Sequence, residues 1–299
     1  MRCWASATSR SSLKTETTLV WGGRVSYTES RDAVLPATRP PAYHRWQLAS
    51  GEDWITFHRD GDTYVLRFPD LADFRISALG RRVHCDAASD VPESTLRQLL
   101  NQILPLVLNG QRATVLHAGA VEVDENAVAL VGPTGRGKST LTAAMANQGF
   151  RFLTDDALQV SLSASGQPVA APGQPHLRLW NASDSTTKAR IAAGPGFPHC
   201  DQERVLTAIY LLGEGEGEGE GAAPTFERVR PSAALLELIQ NSFLLDPDSP
   251  ELLKLQHDNL SAMVSTVPVF RMNYIRNYET LPQVCQQLVA HARSCTIKS

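Results

Sequence analysis

The chain has 299 residues, of which 42% are hydrophobic and 20% charged, and its formal net charge is -3. This profile belongs to a globular protein with one large domain or two modest ones, and it excludes disorder of the whole chain. The charge balance supplies no basic surface for duplex nucleic acid, whereas a small anion needs only local positive charge.

The cysteines and the apolar segments bear on the cellular compartment. Cys3, Cys85, Cys200, Cys285 and Cys295 are scattered, with no pair at the spacing of a metal site or a redox motif, and we expect reduced thiols. No apolar stretch approaches the roughly 20 residues of a membrane span, and residues 1–18 lack the apolar core of a secretion signal. We therefore expect a cytoplasmic protein with no membrane partner; a homo-oligomer is compatible with these features.

The N-terminal region predicts a tail followed by a small β-rich domain. Residues 1–20 are rich in Ser, Thr and Arg and show no apolar period, which is typical of a mobile tail. Short alternating runs flank the turn signals Asp60-Gly61 and Leu79-Gly80, so two hairpins are expected. Apolar residues at helical spacing in residues 92–110 predict a helix, capped by Gly110, that joins this domain, residues 21–110, to residues 111–299.

The second domain opens with a predicted βαβ unit. Strand-like residues 114–123 and 127–131 flank a hairpin turn, and a glycine-rich loop leads into a helix over residues 138–148 that Gly149 closes. A short strand follows at residues 151–153.

Farther along, the pattern alternates between strands and helices. The Gly-Glu run at residues 213–221 predicts a solvated loop, because glycine entropy and carboxylate repulsion oppose fixed structure; an acidic docking site for a basic peptide is the alternative. The remaining predicted elements are strands at residues 206–212 and 267–274 and helices at residues 232–242, 250–261 and 280–291.

Residues 132–139 read Gly-Pro-Thr-Gly-Arg-Gly-Lys-Ser, which fits the phosphate-loop pattern Gly-x4-Gly-Lys-Ser. Glycines let successive backbone N–H groups face one anion, the lysine reaches the outer phosphates and the serine hydroxyl ligates magnesium. A helix that begins near Lys138 adds about half a positive charge at its N-terminus. The residues expected to bind a nucleotide are Gly132, Pro133, Thr134, Gly135, Arg136, Gly137, Lys138, Ser139 and Thr140.

Asp155 and Asp156 follow the strand after this helix. Strands 127–131 and 151–153 are expected to be parallel, with a right-handed crossover, so their C-terminal ends share one edge of the sheet. One carboxylate could hold magnesium while the other accepts a proton from an incoming hydroxyl. By itself the pair fits a turn equally well, because Asp is common after strands.

His117 is the third candidate at this edge. A hairpin that turns at Glu125 places His117 opposite a residue near Pro133, beside the phosphate loop. A histidine in a strand is more often structural than catalytic. Its position here favours contact with a transferring phosphoryl group or an electrostatic effect on the aspartates.

From residue 116 to residue 156 the sequence resembles the catalytic domain of HPr kinase/phosphorylase, a bacterial enzyme that phosphorylates a serine of a small carrier protein. The resemblance rests on Leu-His-Ala-Gly-Ala-Val at residues 116–121, the phosphate loop and Thr-Asp-Asp at residues 154–156. The spacings from His117 to Lys138 and from Lys138 to Asp156 agree as well.

The resemblance implies an α/β fold of the phosphoenolpyruvate-carboxykinase-like P-loop kinase type, with ATP and Mg2+ as cofactors. It implies Asp156 as the base, Ser139 as a magnesium ligand, and His117 and Lys138 at the phosphoryl centre. With Asp156 as the base, Asp155 is the carboxylate expected to hold magnesium. The family also has a later glutamate in a Glu-x-Arg-Gly strand that helps to hold magnesium. The corresponding residues 175–180 read Pro-His-Leu-Arg-Leu-Trp and contain no glutamate.

Outside that segment, residues 64–68, 71–76, 206–212 and 267–274 and the helix before His117 carry a further likeness. They are similar to shorter HPr-kinase-like proteins, among them kinases that phosphorylate the C-terminal serine of lasso-peptide precursors. The implied partner is therefore a peptide or small protein that carries the acceptor serine. A nucleoside triphosphatase without protein acceptor and a nucleotide-gated binding module are the alternatives. Arg271 and Arg276 could neutralise phosphate charge, although surface arginines are the commoner interpretation.

Overall fold

A computed structural model describes residues 15–20, 24–31, 40–181, 184–213 and 223–296. The chain divides into two compact units, Met1–Gln111 and Arg112–Ser299. Strands and five α-helices in the described ranges make it a mixed α/β protein. None of these helices is long and apolar enough to cross a lipid bilayer. Residues 1–14 of the predicted tail and residues 214–221 of the Gly-Glu run lie outside the described residues.

The first unit contains a seven-stranded sheet in the order β1-β2-β7-β6-β5-β4-β3, antiparallel except for the pair β2 and β7. Both predicted hairpins are present, as β4–β5 and β6–β7. The strands are β1 (Thr15–Val20), β2 (Arg24–Ser30), β3 (Ala42–Gln47), β4 (Asp53–Asp60), β5 (Thr63–Phe68), β6 (Ala72–Ser77) and β7 (Arg82–Ala87).

Strand β1 corrects the prediction of a tail over residues 1–20. Residues 15–20 pair with β2 along their whole length. Three threonines and a valine among six residues favour an extended backbone, and the ladder to β2 supplies the hydrogen bonds that so short a segment lacks alone. Local composition therefore missed a strand whose stability comes from its partner.

Helix α1 (Glu93–Gly110) packs in the first unit, with its apolar residues buried. The Trp54 indole N–H of β4 donates to the Gln102 side-chain oxygen at 2.9 Å. Gly110 is the last residue of the helix and Gln111 is its C-cap, so the prediction of Gly110 as the cap is wrong. Gly80, in the turn between β6 and β7, lies so close to α1 that a Cβ there would be 2.3 Å from the Val107 carbonyl oxygen. The absence of a side chain at Gly80 therefore lets the turn contact the helix.

The second unit contains a nine-stranded sheet and a separate hairpin. Its central order is β11-β9-β10-β16, with β13, β12 and β8 continuing from β16, and β18 pairs with both β16 and β17. The sheet strands are β8 (Thr114–Leu116), β9 (Ala118–Val123), β10 (Asn126–Val131), β11 (Phe152–Thr154), β12 (Leu158–Leu162), β13 (Pro168–Ala170), β16 (Arg204–Leu212), β17 (Thr225–Arg228) and β18 (Val269–Asn273); the hairpin is β14 (His176–Asn181) and β15 (Asp184–Ala192).

Helices cover both faces of this sheet. Along β10, Val128 and Leu130 pack into one apolar cluster with α2 and α5, while the alternate residues pack into a second cluster with α3 and α4. Burial on both faces explains why β10 is a continuous apolar run. The helices are α2 (Lys138–Asn147), α3 (Pro231–Gln240), α4 (Pro250–Thr266) and α5 (Leu281–Thr296), close to the predicted positions.

The predicted βαβ unit differs from the structure in two respects. The single strand expected at residues 114–123 is broken at His117, and its halves, β8 and β9, pair with different strands. In addition, β9 lies between β10 and β11 and is antiparallel to both. Because β10 and β11 therefore run in the same direction, their C-terminal ends do share one edge, as predicted.

Candidate functional site

The phosphate loop connects β10 to α2 at this shared edge. Gly135 and Gly137 have φ of 87° and 88°, in the left-handed region that favours glycine. Helix α2 begins at Lys138 and, among the described residues, no side chain caps it. The N–H groups of its first turn therefore lack intrahelical acceptors, and an anion at this point would accept hydrogen bonds from them.

An open pocket with a volume of about 170 Å³ lies in front of the loop. Charged and polar residues from several elements line it together: His117, Lys138, Asp156, Arg178 and Arg276. The rest of the lining consists of Thr134, Gly135, Gly137, Ser139, Thr140, Leu179, Tyr274, Asn277, Tyr278 and Leu281.

The predicted nucleotide-binding residues divide into two groups. Six of the nine line the pocket, whereas Gly132, Pro133 and Arg136 do not. The Lys138 ammonium is almost fully buried and donates to the carbonyl oxygens of Gly132 at 2.6 Å and Pro133 at 3.0 Å. Two of the three residues outside the lining thus hold the lysine within the loop.

The two aspartates lie in a tight turn between β11 and β12. The Thr154 hydroxyl donates to the Ala157 carbonyl oxygen at 2.8 Å across this turn. Asp156 has φ of 79°, a conformation that aspartate tolerates better than most residues and that is enriched at functional sites. The turn directs Asp156 into the pocket lining, while Asp155 is not part of that lining.

Arg178 of β14 contacts both aspartates. Its backbone N–H donates to Asp155 Oδ2 at 2.8 Å, and its guanidinium Nη1 donates to Asp156 Oδ2 at 3.1 Å. One strand residue thus fixes the pair. Sequence reasoning missed Arg178, although it lies within residues 175–180, because an arginine in a strand carries no local signal of what it will contact.

His117 occupies the break between β8 and β9. Its backbone N–H donates to the Asn241 carbonyl oxygen at the end of α3, at 2.7 Å, and its ring lies edge-on to Phe243 with centroids 5.9 Å apart. Ala118 pairs with Val131, so the register brings His117 beside the start of the phosphate loop, as the hairpin predicted. The imidazole lines the same pocket as Lys138 and Asp156.

The two arginines near the C-terminus have different surroundings. Arg276 lines the pocket, and its guanidinium donates to the carbonyl oxygens of Gly213 at 2.8 Å and Gly135 at 3.5 Å. Arg271 forms an ion pair with Glu237 of α3 at 2.7 Å and does not line the pocket. Of the two, only Arg276 lies where it could meet a phosphate.

Comparison with known proteins gives a distant structural likeness. No family model matches the chain, and no curated protein matches it. Among solved structures the chain is similar to the HPr(Ser) kinase/phosphatase from Coxiella burnetii, with 12% identity and a TM-score of 0.38 over 62% of this chain and 99% of that one. Such a likeness says nothing about the chemistry of the pocket, whose own residues must support any functional proposal.

His176 lies within residues 175–180, where the sequence resemblance implied a glutamate that helps to hold magnesium. Burial, with Arg190 and Arg178 nearby, lowers the pKa of the His176 imidazole to about 4. The ring is therefore neutral at pH 7, and its Nδ1 accepts a hydrogen bond from Arg190 Nη2 at 2.9 Å. His176 does not line the pocket, so it does not replace a carboxylate there.

A magnesium ion in this pocket would have few protein ligands. Within the described ranges, no three His, Cys, Asp or Glu side chains cluster at metal-binding distance. Mg2+ commonly uses one or two protein ligands and takes the rest from phosphate oxygens and water. Ser139 and Asp156 both line the pocket and suit that arrangement, whereas Asp155 directs one oxygen to the backbone of β14.

Tyr274, the residue after β18, packs against the phosphate loop. A Cβ on residue 137 would lie 2.8 Å from the Tyr274 hydroxyl oxygen, so the phenol packs directly against Gly137. Burial raises the pKa of the Tyr274 phenol, which therefore remains protonated at neutral pH. The hydroxyl is a neutral group at the N-terminus of α2.

Proposed function

We propose that this chain is an ATP-dependent kinase that transfers a phosphoryl group to a serine hydroxyl of a peptide or small protein. The observation that carries the proposal is that one pocket is lined by the first turn of α2, Lys138, His117 and Asp156. A helix N-terminus binds phosphate, and a carboxylate and an imidazole beside it can assist proton transfer. This combination favours phosphoryl transfer over binding alone. The proposal includes the finer fold assignment, a phosphoenolpyruvate-carboxykinase-like P-loop kinase domain.

Several groups would bind and orient the polyphosphate. The N–H groups of the first turn of α2 and the Lys138 ammonium would bind its oxygens, once a phosphate replaces the loop carbonyls as the lysine's acceptors. Ser139 would hold a magnesium ion, which neutralises phosphate charge when bound. Arg276, whose guanidinium donates to the Gly135 carbonyl oxygen of the loop, would add positive charge near the same oxygens.

Asp156 would act as the proton acceptor. Its carboxylate lines the pocket and is held by the Arg178 guanidinium, so it is oriented before a substrate arrives. The serine hydroxyl would lose its proton to Asp156 as its oxygen attacks the γ-phosphorus of ATP. The bond between the γ-phosphorus and ADP would break, and ADP would leave. Asp155, held by the β14 backbone, would fix the turn that presents Asp156.

The acceptor class rests on the sequence resemblance to kinases of small carrier proteins and peptide precursors. The C-terminal serine of a ribosomal peptide precursor is therefore the first acceptor to test. Incubation of the protein with Mg-ATP and candidate peptides, followed by mass spectrometry, would identify a phosphorylated serine. Phosphate release without a modified acceptor would instead make the protein a nucleoside triphosphatase.

The base assignment has a direct test. Asp156→Asn should retain nucleotide affinity and lose transfer by about 10²-fold or more, because general-base catalysis contributes at least that factor. Asp258→Asn, on the exposed surface of α4, is the matched carboxylate control and should transfer normally. Transfer at the wild-type rate by Asp156→Asn would overturn the proposed role.

A further inference from the structure

Four residues of the pocket lining have no role in the phosphate binding and proton transfer proposed above. They are Leu179 from β14, Asn277 and Tyr278 from the segment after β18, and Leu281 at the start of α5. Leu179 packs against the apolar cluster that contains Leu281. The four residues present apolar and aromatic surface and an amide, and none of them carries a formal charge. This uncharged part of the lining suits a flat, weakly polar group.

We propose that this part of the pocket binds the purine base of the nucleotide, with the ring of Tyr278 as a stacking surface. The inference rests on the proposed function, because the phosphate loop fixes the other end of the same ligand. It goes further by assigning a base-binding site to a sequence that contains no base-recognition motif.

The exposure of Tyr278 is the first observation behind this site. Tyr278 is 81% exposed, the highest value among the exposed large hydrophobic residues of the described ranges; Leu236 follows at 63%. An aromatic ring left this open on the wall of a pocket gains contact area when a flat ring stacks on it. Base–aromatic stacking tolerates any base, and purines offer the larger face.

The segment that carries the ring is anchored to the phosphate loop. Tyr274 and Leu281, at its two ends, are both buried. Between them, Arg276 donates to the carbonyl oxygens of Gly135 and Gly213, and the Asn277 carbonyl oxygen accepts from the Leu281 N–H at 3.1 Å. These contacts hold the backbone that carries Tyr278 close to the phosphate loop, as a single ligand that reaches both requires.

Asn277 supplies the polar contact. Its side-chain oxygen accepts from the Glu279 N–H at 2.9 Å, so its NH2 group is the donor that it would offer to a ligand. Both purines carry an acceptor at N7, and guanine adds O6. A single amide donor therefore fits a purine edge, next to the apolar side chains of Leu179 and Leu281.

The test separates base binding from phosphate binding by using two ligands with the same number of phosphates. Calorimetric titration of the full chain with Mg-ADP and with Mg-pyrophosphate would be compared for wild type, Tyr278→Ala and Tyr278→Phe. We expect Tyr278→Ala to weaken Mg-ADP about tenfold and to leave Mg-pyrophosphate unchanged, since loss of base stacking commonly has an effect of that size. Tyr278→Phe keeps the ring and should bind both ligands as wild type does.

Leu236→Ala, at another exposed apolar position in the same unit, is the matched control and should change neither titration. Equal weakening of both ligands by Tyr278→Ala, or unchanged Mg-ADP binding, would overturn the base site. An increase in the KM of a peptide acceptor with unchanged Mg-ADP binding would overturn it too and assign the ring to the acceptor. Because these titrations need no turnover, absence of phosphoryl transfer would count against the kinase alone, whereas a wild type that binds neither ligand would overturn both proposals.

Discussion

At the level of single residues, Arg178 donates hydrogen bonds to both Asp155 and Asp156. Its backbone holds Asp155 and its guanidinium holds Asp156, so the orientation of the proposed base depends on a neighbour about twenty positions away. The contact is partly exposed, and an ion pair of this kind adds little to stability. Its consequence is therefore geometric: Arg178 is a positioning residue for Asp156.

We expect Arg178→Ala to lower the rate of transfer at saturating substrate by about 10²-fold, the usual effect of a small misplacement of a catalytic group. Guanidinium chloride added to this variant should restore part of the rate, which a merely unfolded protein would not show. Arg190→Ala, at the position that pairs with Arg178 on β15, is the control. Wild-type turnover in Arg178→Ala would refute the positioning role.

Gly137 combines backbone conformation with close contact. Its φ of 88° costs an L residue about 1–2 kcal/mol, and a Cβ would also lie 2.8 Å from the Tyr274 hydroxyl oxygen. Gly149 has a similar φ of 92°, but a Cβ there would have no atom within 4 Å. Gly137→Ala should therefore lower the free energy of unfolding by more than Gly149→Ala does.

Urea unfolding of both variants measures this difference. In a Tyr274→Phe background the two substitutions should become more nearly equal, because the hydroxyl that the methyl group meets is gone. Equal effects in the wild-type background would mean that the phenol moves aside at no cost.

At the level of elements, α2 packs against β9 where Thr142 of the helix meets Gly119 of the strand. A Cβ on Gly119 would lie 2.4 Å from the Thr142 hydroxyl oxygen but 3.7 Å from Thr142 Cβ. Thr142 is fully buried. The glycine thus lets the helix that carries Lys138 and Ser139 approach the strand that follows His117.

Gly119→Ala should destabilise the protein by about 1–3 kcal/mol, the usual effect of overpacking a core. Gly119→Ala/Thr142→Ala removes the opposing atoms and should recover part of the loss, measured by urea unfolding. Additive losses in the double variant would show that the two positions do not share one contact.

The break at His117 shows how two elements decide a local conformation. Residues 114–123 have the composition of one strand, yet β8 pairs with β12 while β9 pairs with β10 and β11. At the break, the Asn241 carbonyl oxygen replaces a strand partner for the His117 N–H. The sequence around His117 contains no information about Asn241, so the prediction of an unbroken strand was wrong.

For the molecule as a whole, three partly buried histidines predict sensitivity to acid. Burial lowers the pKa of His176, to about 4, and also those of His199 and His291, all in the second unit. The unfolded chain binds protons at these sites near the ordinary value of about 6.5, so below that pH it binds more protons than the folded protein. Stability should therefore be complete above about pH 6.5 and fall as the pH drops toward 4.

Urea unfolding between pH 7 and pH 4 checks this expectation. His176→Gln removes one of the three groups, and glutamine can still accept a hydrogen bond from Arg190. The variant should lose less stability than wild type over the same pH range. A loss as steep as that of wild type would assign the acid sensitivity to other groups.

The sequence by itself determined the features that depend on near neighbours. The glycines of residues 132–137 and the lysine and serine after them predicted the loop between β10 and α2, and Asp60-Gly61 predicted a hairpin, because both need particular backbone angles at particular positions. The common edge of β10 and β11 also followed, since a helical crossover between them sets their direction.

Only the tertiary structure decided which side chains converge on the pocket. It inserted β9 between β10 and β11, turned Asp156 and not Asp155 into the lining, and brought Arg178 and Tyr278 there from distant segments. The physical reason is that strand order and side-chain direction depend on long-range pairing and burial, which short stretches of sequence do not encode.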